Sequence, residues 1–176
     1  MESLKFQFVE QNMKKMLAPL KLNQNFLRYT QYLSDYPLDS EIYDSEGNTI
    51  EQPDIVSNDL IADKIIIPTL FNPVISVESK VYLFFSPLRG SINSTKNALM
   101  ENRYIFDIIV PFANYTLGTG EFRPFRIANE ICKCLDWKNI AGVGKTFMYD
   151  YSINTVNETY LGMRLYFKIN DPAVQG

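Results

Sequence analysis

Apolar residues at Phe6, Val9, Met13, Met16, Leu17 and Leu20 recur at three- and four-residue spacing, which predicts an amphipathic helix ending near Ala18-Pro19. A second helical pattern follows at Leu22, Phe26, Tyr29 and Leu33, with Asn23 placed as its N-cap and Tyr36-Pro37 closing it. The period then changes to two. Ile65–Ile67, Lys80–Phe85 and Arg103–Val110 are rich in β-branched and aromatic residues and are bounded by Pro, Gly and Asn, as strands are. Leu161, Met163, Leu165, Phe167 and Ile169 alternate with Gly162, Arg164, Tyr166, Lys168 and Asn170, the signature of a half-buried strand with one wet face. Phe147, Tyr149, Tyr151 and Ile153 alternate in the same way with Thr146, Met148, Asp150 and Ser152, so the two runs predict an antiparallel hairpin turning at 154–157. Between the third strand and this hairpin, RPFRIANEICKCLDW places Pro124 in a first helical turn and Ile127, Ala128, Ile131 and Leu135 on one face.

The expected fold is therefore α+β: a mostly antiparallel sheet of four to five strands packed by helices, with an N-terminal helical pair. Residues 1–176 read as one domain, with the helical pair in 1–35, an acidic loop or exposed hairpin around Ser45–Asn48 in 36–60, and the sheet-and-helix core in 61–171. Two segments, 90–102 and 112–121, read as loops long enough to be mobile or to contact partners.

Composition narrows the chemistry. With 46% hydrophobic and 21% charged residues the chain is globular rather than disordered. Seventeen basic against twenty acidic residues, net −3, disfavours phosphate-backbone binding as the main task. Histidine is absent, which removes the commonest general base, the commonest metal ligand and every Ser/His/Asp or Cys/His arrangement. The first residues carry neither an uninterrupted apolar stretch nor a small-residue cleavage site, so export is not expected, and the sequons at Asn93, Asn114 and Asn157 are then chance matches. No apolar run approaches the length of a membrane span.

Four motifs invite a chemical reading. AGVGKTF, residues 141–147, ends like a phosphate-binding loop, but Asn139 stands where that loop needs glycine, a helix precedes it and a strand-like pattern follows. Cys132 and Cys134, two apart in a predicted helix, point about 200° from each other and cannot clasp one metal; two semi-buried thiols are expected. The acidic run through Asp35, Asp39, Glu41, Asp44 and Glu46 fails the calcium-loop pattern, since aligning Gly47 with its glycine puts Ile42 and Pro53 at ligand positions. Asp107, embedded between Ile105, Phe106, Ile108 and Ile109, needs a partner if buried, and Arg103 or Arg164 is the expected one. No catalytic, cofactor or metal residue is assigned, and no cofactor is expected.

The succession Ile65-Ile66-Ile67-Pro68, KVYLFF, NRYIFDIIV, a helix opening FRPFRIANEI, a glycine turn and a final YLGMRLYFKIND strand resembles the small neck proteins of tailed bacteriophages, closest to the tail terminator or tail-completion group, over about residues 60–171. The resemblance implies an α+β virion protein without catalytic residues. It would form a homo-oligomeric ring, commonly a hexamer, at the head-proximal end of the tail and join tail to head. Its partners would be itself, the tail tube protein and neck or connector proteins, with no membrane and no specific nucleic-acid binding although DNA passes through the ring. It would reside in the virion neck and, during assembly, in the host cytoplasm. A head-completion or neck adaptor role, and a small enzyme using the GKT segment or Asp107, are the alternatives. Subunit contacts are expected at Tyr149, Tyr160 and Tyr166, read as exposed-face aromatics, and at the loops around Asn97 and Gly118.

Overall fold

The computed structural model describes residues 5–39, 41–43, 46–51, 53–55, 66–67, 79–93, 98–140 and 142–170. Three helices, α1 (Lys5–Leu20), α2 (Gln24–Gln31) and α3 (Arg123–Leu135), pack on one face of a sheet built from β3 (Ile66–Ile67), β4 (Tyr82–Asn93), β5 (Ala98–Pro111), β6 (Lys138–Ile140), β7 (Gly144–Thr155) and β8 (Tyr160–Asn170). The strand order is β3-β4-β5-β8-β7-β6. Five strands are antiparallel, and β3 adds a two-residue parallel pairing on the outer edge of β4. A separate hairpin, β1 (Glu41–Tyr43) and β2 (Thr49–Glu51), turns through Gly47 at φ 82°. The α+β architecture is thus as expected.

Alternation explains which side of the sheet meets the helices. Leu83 and Phe85 of β4, Tyr104, Phe106, Ile108 and Val110 of β5, and Met163, Leu165, Phe167 and Ile169 of β8 are all buried under them. The Phe85 and Phe106 rings stack at 4.2 Å and Phe167 meets Phe106 edge-on at 5.6 Å, so aromatic contacts join three neighbouring strands. From the helix side come Met16, Leu17 and Leu20, then Phe26 and Leu27, then Ile127, Ile131 and Leu135. Each such side chain stabilises the fold by roughly 1.5–3 kcal/mol.

Helix ends differ from their predicted places for local reasons. α1 runs through Pro19 to Leu20: proline's fixed φ suits a helix, and near the C-terminal end its missing N–H and the crowding of its ring against the preceding turn disturb only the last turn; the chain then turns through Lys21 N–H to Leu17 O and Asn23 N–H to Leu20 O. Asn23 is the N-cap of α2, its Oδ1 accepting from the Phe26 N–H at 3.1 Å. Its Nδ2 donates to Glu130 and to the Cys134 sulfur, tying α2 to α3. α2 stops at Gln31, short of the expected Tyr36-Pro37, with Tyr32 already extended. The cause lies in α3: the fully buried Arg123 donates to the carbonyls of Tyr29 (3.1 Å), Tyr32 (2.7 Å), Ser34 (2.5 Å) and Asn114 (2.8 Å). A guanidinium at the end of α2 is also where the helix dipole favours a cation.

β7 departs from its predicted alternation. Met148 pairs with Phe167 and Asp150 with Tyr166, so Tyr149 is the extra residue of a β-bulge. Phe147 and Tyr149 stay on the face away from the helices, whereas Tyr151 and Ile153, opposite Leu165 and Met163, move to the other face. The strand β6 has no counterpart in the sequence pattern. Among the described residues it pairs only with Gly144–Thr146.

Candidate functional site

The face of the sheet away from the helices has two parts. Near the turn between β7 and β8, Tyr82, Phe84, Ile109 and Tyr160 form a second small cluster with Val156 beside it. Tyr160 is therefore buried, 5% exposed, and not the exposed aromatic that its strand position predicts. Gly162, whose missing side chain leaves room for Ile109 and Val156, lets these groups close over the strand, and the Tyr160 ring meets Tyr82 edge-on at 6.2 Å.

Midway along the strands Asp107 and Arg164 sit opposite each other on β5 and β8. Arg164 Nε donates to Asp107 Oδ1 at 2.5 Å and Nη2 to Oδ2 at 2.9 Å, the fork-to-fork geometry that suits guanidinium and carboxylate. Of the two expected partners it is Arg164 that pairs. These bonds, before any other cause, hold its guanidinium above its ordinary pKa. A carboxylate so engaged on both oxygens is a structural element.

Toward the β6 end the same face carries alternating rings and cations. Trp137 and Phe147 lie 5.5 Å apart, and Lys145 Nζ sits 4.6 Å from the indole centroid. Lys168 Nζ is 5.0 Å from the Phe147 ring, Arg103 lies over Tyr149 at 5.4 Å, and Tyr149 meets Tyr166 at 6.0 Å. Trp137 is 67% exposed and adopts φ 57° just beyond the end of α3. Glycine is the usual occupant of that position, and a side chain there costs about 1–2 kcal/mol. Tyr149, at the bulge, is exposed, and Tyr166 is half-buried.

The outer edge of β7 is the other conspicuous surface. Among the described residues β6 covers it only as far as Thr146, leaving Phe147–Thr155 without a neighbouring strand. That stretch contains no proline and no lysine, and Tyr151 and Ile153 are each 56% exposed. It carries one bulge, at Tyr149, and the opposite edge is better guarded. β4 carries Pro87 and two register shifts, devices that discourage strand addition.

The remaining motifs resolve into local structure. Lys145 and Thr146 of the GKT segment lie at the start of β7, not before a helix. Thr146 is fully buried, and its hydroxyl reaches the carbonyls of Leu135 and Lys138. Cys132 and Cys134 are partly buried thiols; burial, reinforced by Asp136, pushes Cys132 up to about 11. The loop around Gly118 is folded back rather than extended: Leu117 is buried and Gly118 N–H donates to Asp35 O at 3.0 Å. A Cβ at Gly118 would run into the Tyr36 ring. Asn97, Ile65 and Pro68 lie outside the described residues. Among the described residues no helix is long and apolar enough to cross a membrane, and no three His, Cys, Asp or Glu side chains gather as a metal would require.

An antiparallel sheet with helices on one face, a doubly bonded ion pair on the other and one edge that no described strand covers beyond Thr146 defines a small α+β protein whose distinguishing features are surfaces. The sequence model of the YomW family matches residues 23–169, from the N-cap of α2 to the end of β8. The chain belongs to that family, a group of phage-type gene products. α1 precedes the matched region. No curated protein matches the chain.

Proposed function

We propose that this phage protein is a structural, non-enzymatic component of the virion: a tail terminator that closes a ring, six copies in the usual arrangement, at the head-proximal end of the tail. Its neighbours are the tail tube protein on one side and neck or connector proteins on the other. It is made in the host cytoplasm and ends in the particle. What carries the reading beyond the sequence resemblance is the β7 edge. A head-to-tail contact between identical chains joins two different surfaces and can close a ring, and the stretch from Phe147 to Thr155, which no described strand covers, offers one of them through Tyr151, Ile153 and the backbone groups left over once the Met148 and Tyr151 amides are held by Asp136 and Asp150. Of the aromatic contacts named earlier, Tyr149 is exposed and Tyr166 half-buried on the face beside this edge, whereas Tyr160 is buried.

The test is made on particles. Cryo-electron microscopy or immunogold labelling should find the chain at the head-proximal end of the tail, and the double substitution Tyr151→Lys with Ile153→Lys should leave the monomer folded but absent from particles. Finding the chain only in lysate and never in mature virions, or normal incorporation of the double variant, overturns the proposal.

A further inference from the structure

The net charge of −3 conceals a segregation of charge. Residues 35–54 hold seven acids and no base, so the remainder of the chain carries +4. Part of that excess lies on the sheet face between β6 and β5, where each of three cations rests on an aromatic ring: Lys145 on Trp137, Lys168 on Phe147 and Arg103 on Tyr149. Significant cation–π contacts occur roughly once per 70–80 residues. Four are present among the described residues and three of them share this one corner. Its most exposed ring belongs to the chain's single tryptophan, held out at a backbone conformation that side chains normally avoid.

We propose that this face binds single-stranded nucleic acid without sequence preference, with Trp137, Tyr149 and Tyr166 stacking bases while Lys145 and Lys168 meet phosphates. The chemistry selects the ligand. A duplex keeps its bases inside, so the rings would gain nothing from it beyond what the cations supply. A single strand presents both π-faces and phosphates, and a flat sheet carrying rings and bases in alternation satisfies both. An acidic protein surface would use the cations but has no flat partner for each ring. The inference rests on this face alone and does not depend on the ring reading.

The full-length chain carries its own reporter, because Trp137 is the sole indole. Titration with a fifteen-residue oligothymidylate in low salt should quench its fluorescence saturably. Two neutralised phosphates give a slope of log K against log salt concentration of about −1.4, at roughly 0.7 per contact. Lys145→Gln with Lys168→Gln should weaken binding at least tenfold and flatten that slope to near zero. Tyr166→Leu, folded by circular dichroism, should weaken it about 5- to 150-fold while leaving the slope unchanged. The duplex of the same length should bind more weakly than the strand. Equal binding of strand and duplex, indifference to the double lysine substitution, or no quenching at 100-micromolar oligonucleotide each overturns the proposal. Protection of Trp137 only when the protein joins a particle would assign the face to a protein partner instead.

Discussion

Replacing Arg123 by methionine tests the contact that fastens the helical pair to the rest of the molecule. The guanidinium is fully buried at the first residue of α3 and donates to four carbonyls from three places in the chain: the end of α2, the segment after it and the short turn following β5. Burial, the largest cause, lowers its pKa from the ordinary arginine value, with Asp35 acting in the opposite sense. Each charged hydrogen bond is worth about 1.5–3 kcal/mol, but keeping the cation out of water costs several kcal/mol. Methionine matches the length and removes both, while leaving four carbonyls without this donor. The net loss is about 3–5 kcal/mol, built from about 1–3 kcal/mol for each carbonyl that finds no other donor. At roughly 2–4 °C per kcal/mol for a domain of this size, Tm should fall by about 6–20 °C. Thermal unfolding followed by circular dichroism reads this directly, and amide exchange should speed up first in α2. Arg123→Lys should recover less than half, since one ammonium cannot span four carbonyls. A methionine variant melting within about 2 °C of the parent would refute the reasoning, because the carbonyls would then have found water at no cost.

At the ion pair across β5 and β8, Arg164→Leu should cost more than Asp107→Asn in urea unfolding, because the carboxylate left behind is 5% exposed whereas the arginine side chain keeps 29% of its surface in water. The asparagine variant should lose about 1–3 kcal/mol, and the reverse ranking would contradict the burial argument. The raised Cys132 pKa makes its neutral thiol the form the fold prefers, so its stabilising share is complete below about pH 9 and is lost as pH rises toward 11. Stability measured at pH 8 and pH 10.5 should therefore drop more in the parent than in Cys132→Ala, and iodoacetamide at pH 8 should label Cys132 far faster after unfolding than before. Calorimetry with millimolar Mg-ATP should show no saturable heat, since the Thr146 hydroxyl is turned inward on two carbonyls; binding lost in Lys145→Ala would reverse that conclusion.

What could be read from the sequence was whatever repeats within one element. β8 shows its buried face as an unbroken alternation, α3 as a 3.6-residue stripe, and α2 as a capping asparagine at the right offset. The sequence leaves two arginines as partners for Asp107, and strand register alone chooses between them. What could not be read depends on residues far apart in the chain. β6 is three residues long, too short for any period. Arg123 sits in RPFR, where one more basic residue looks solvated, and its four acceptors come from segments nine to ninety-four positions away. The bulge at Tyr149 shifts the phase of a strand whose letters alternate without a break, so Tyr151 and Ile153 change sides with no local mark. The burial of Tyr160 has no local mark either, because it comes from Tyr82 on a distant strand and from the room left at Gly162.

The order β4-β5-β8-β7 also governs when the molecule can come together. β5 finds its first partner immediately, in the hairpin with β4, but its second partner β8 exists only after residues 112–159 have been made. Until then one long side of β5 is bare, and the helices have half a sheet to lie on. Closure waits for a contact between distant parts of the chain, the kind that slows folding most. A nascent or truncated chain ending before Tyr160 exposes both this side of β5 and the apolar faces of α1 and α3, which makes it a substrate for chaperones or for aggregation. Synthesis rate and chaperone supply during infection thus bear on yield through a single strand.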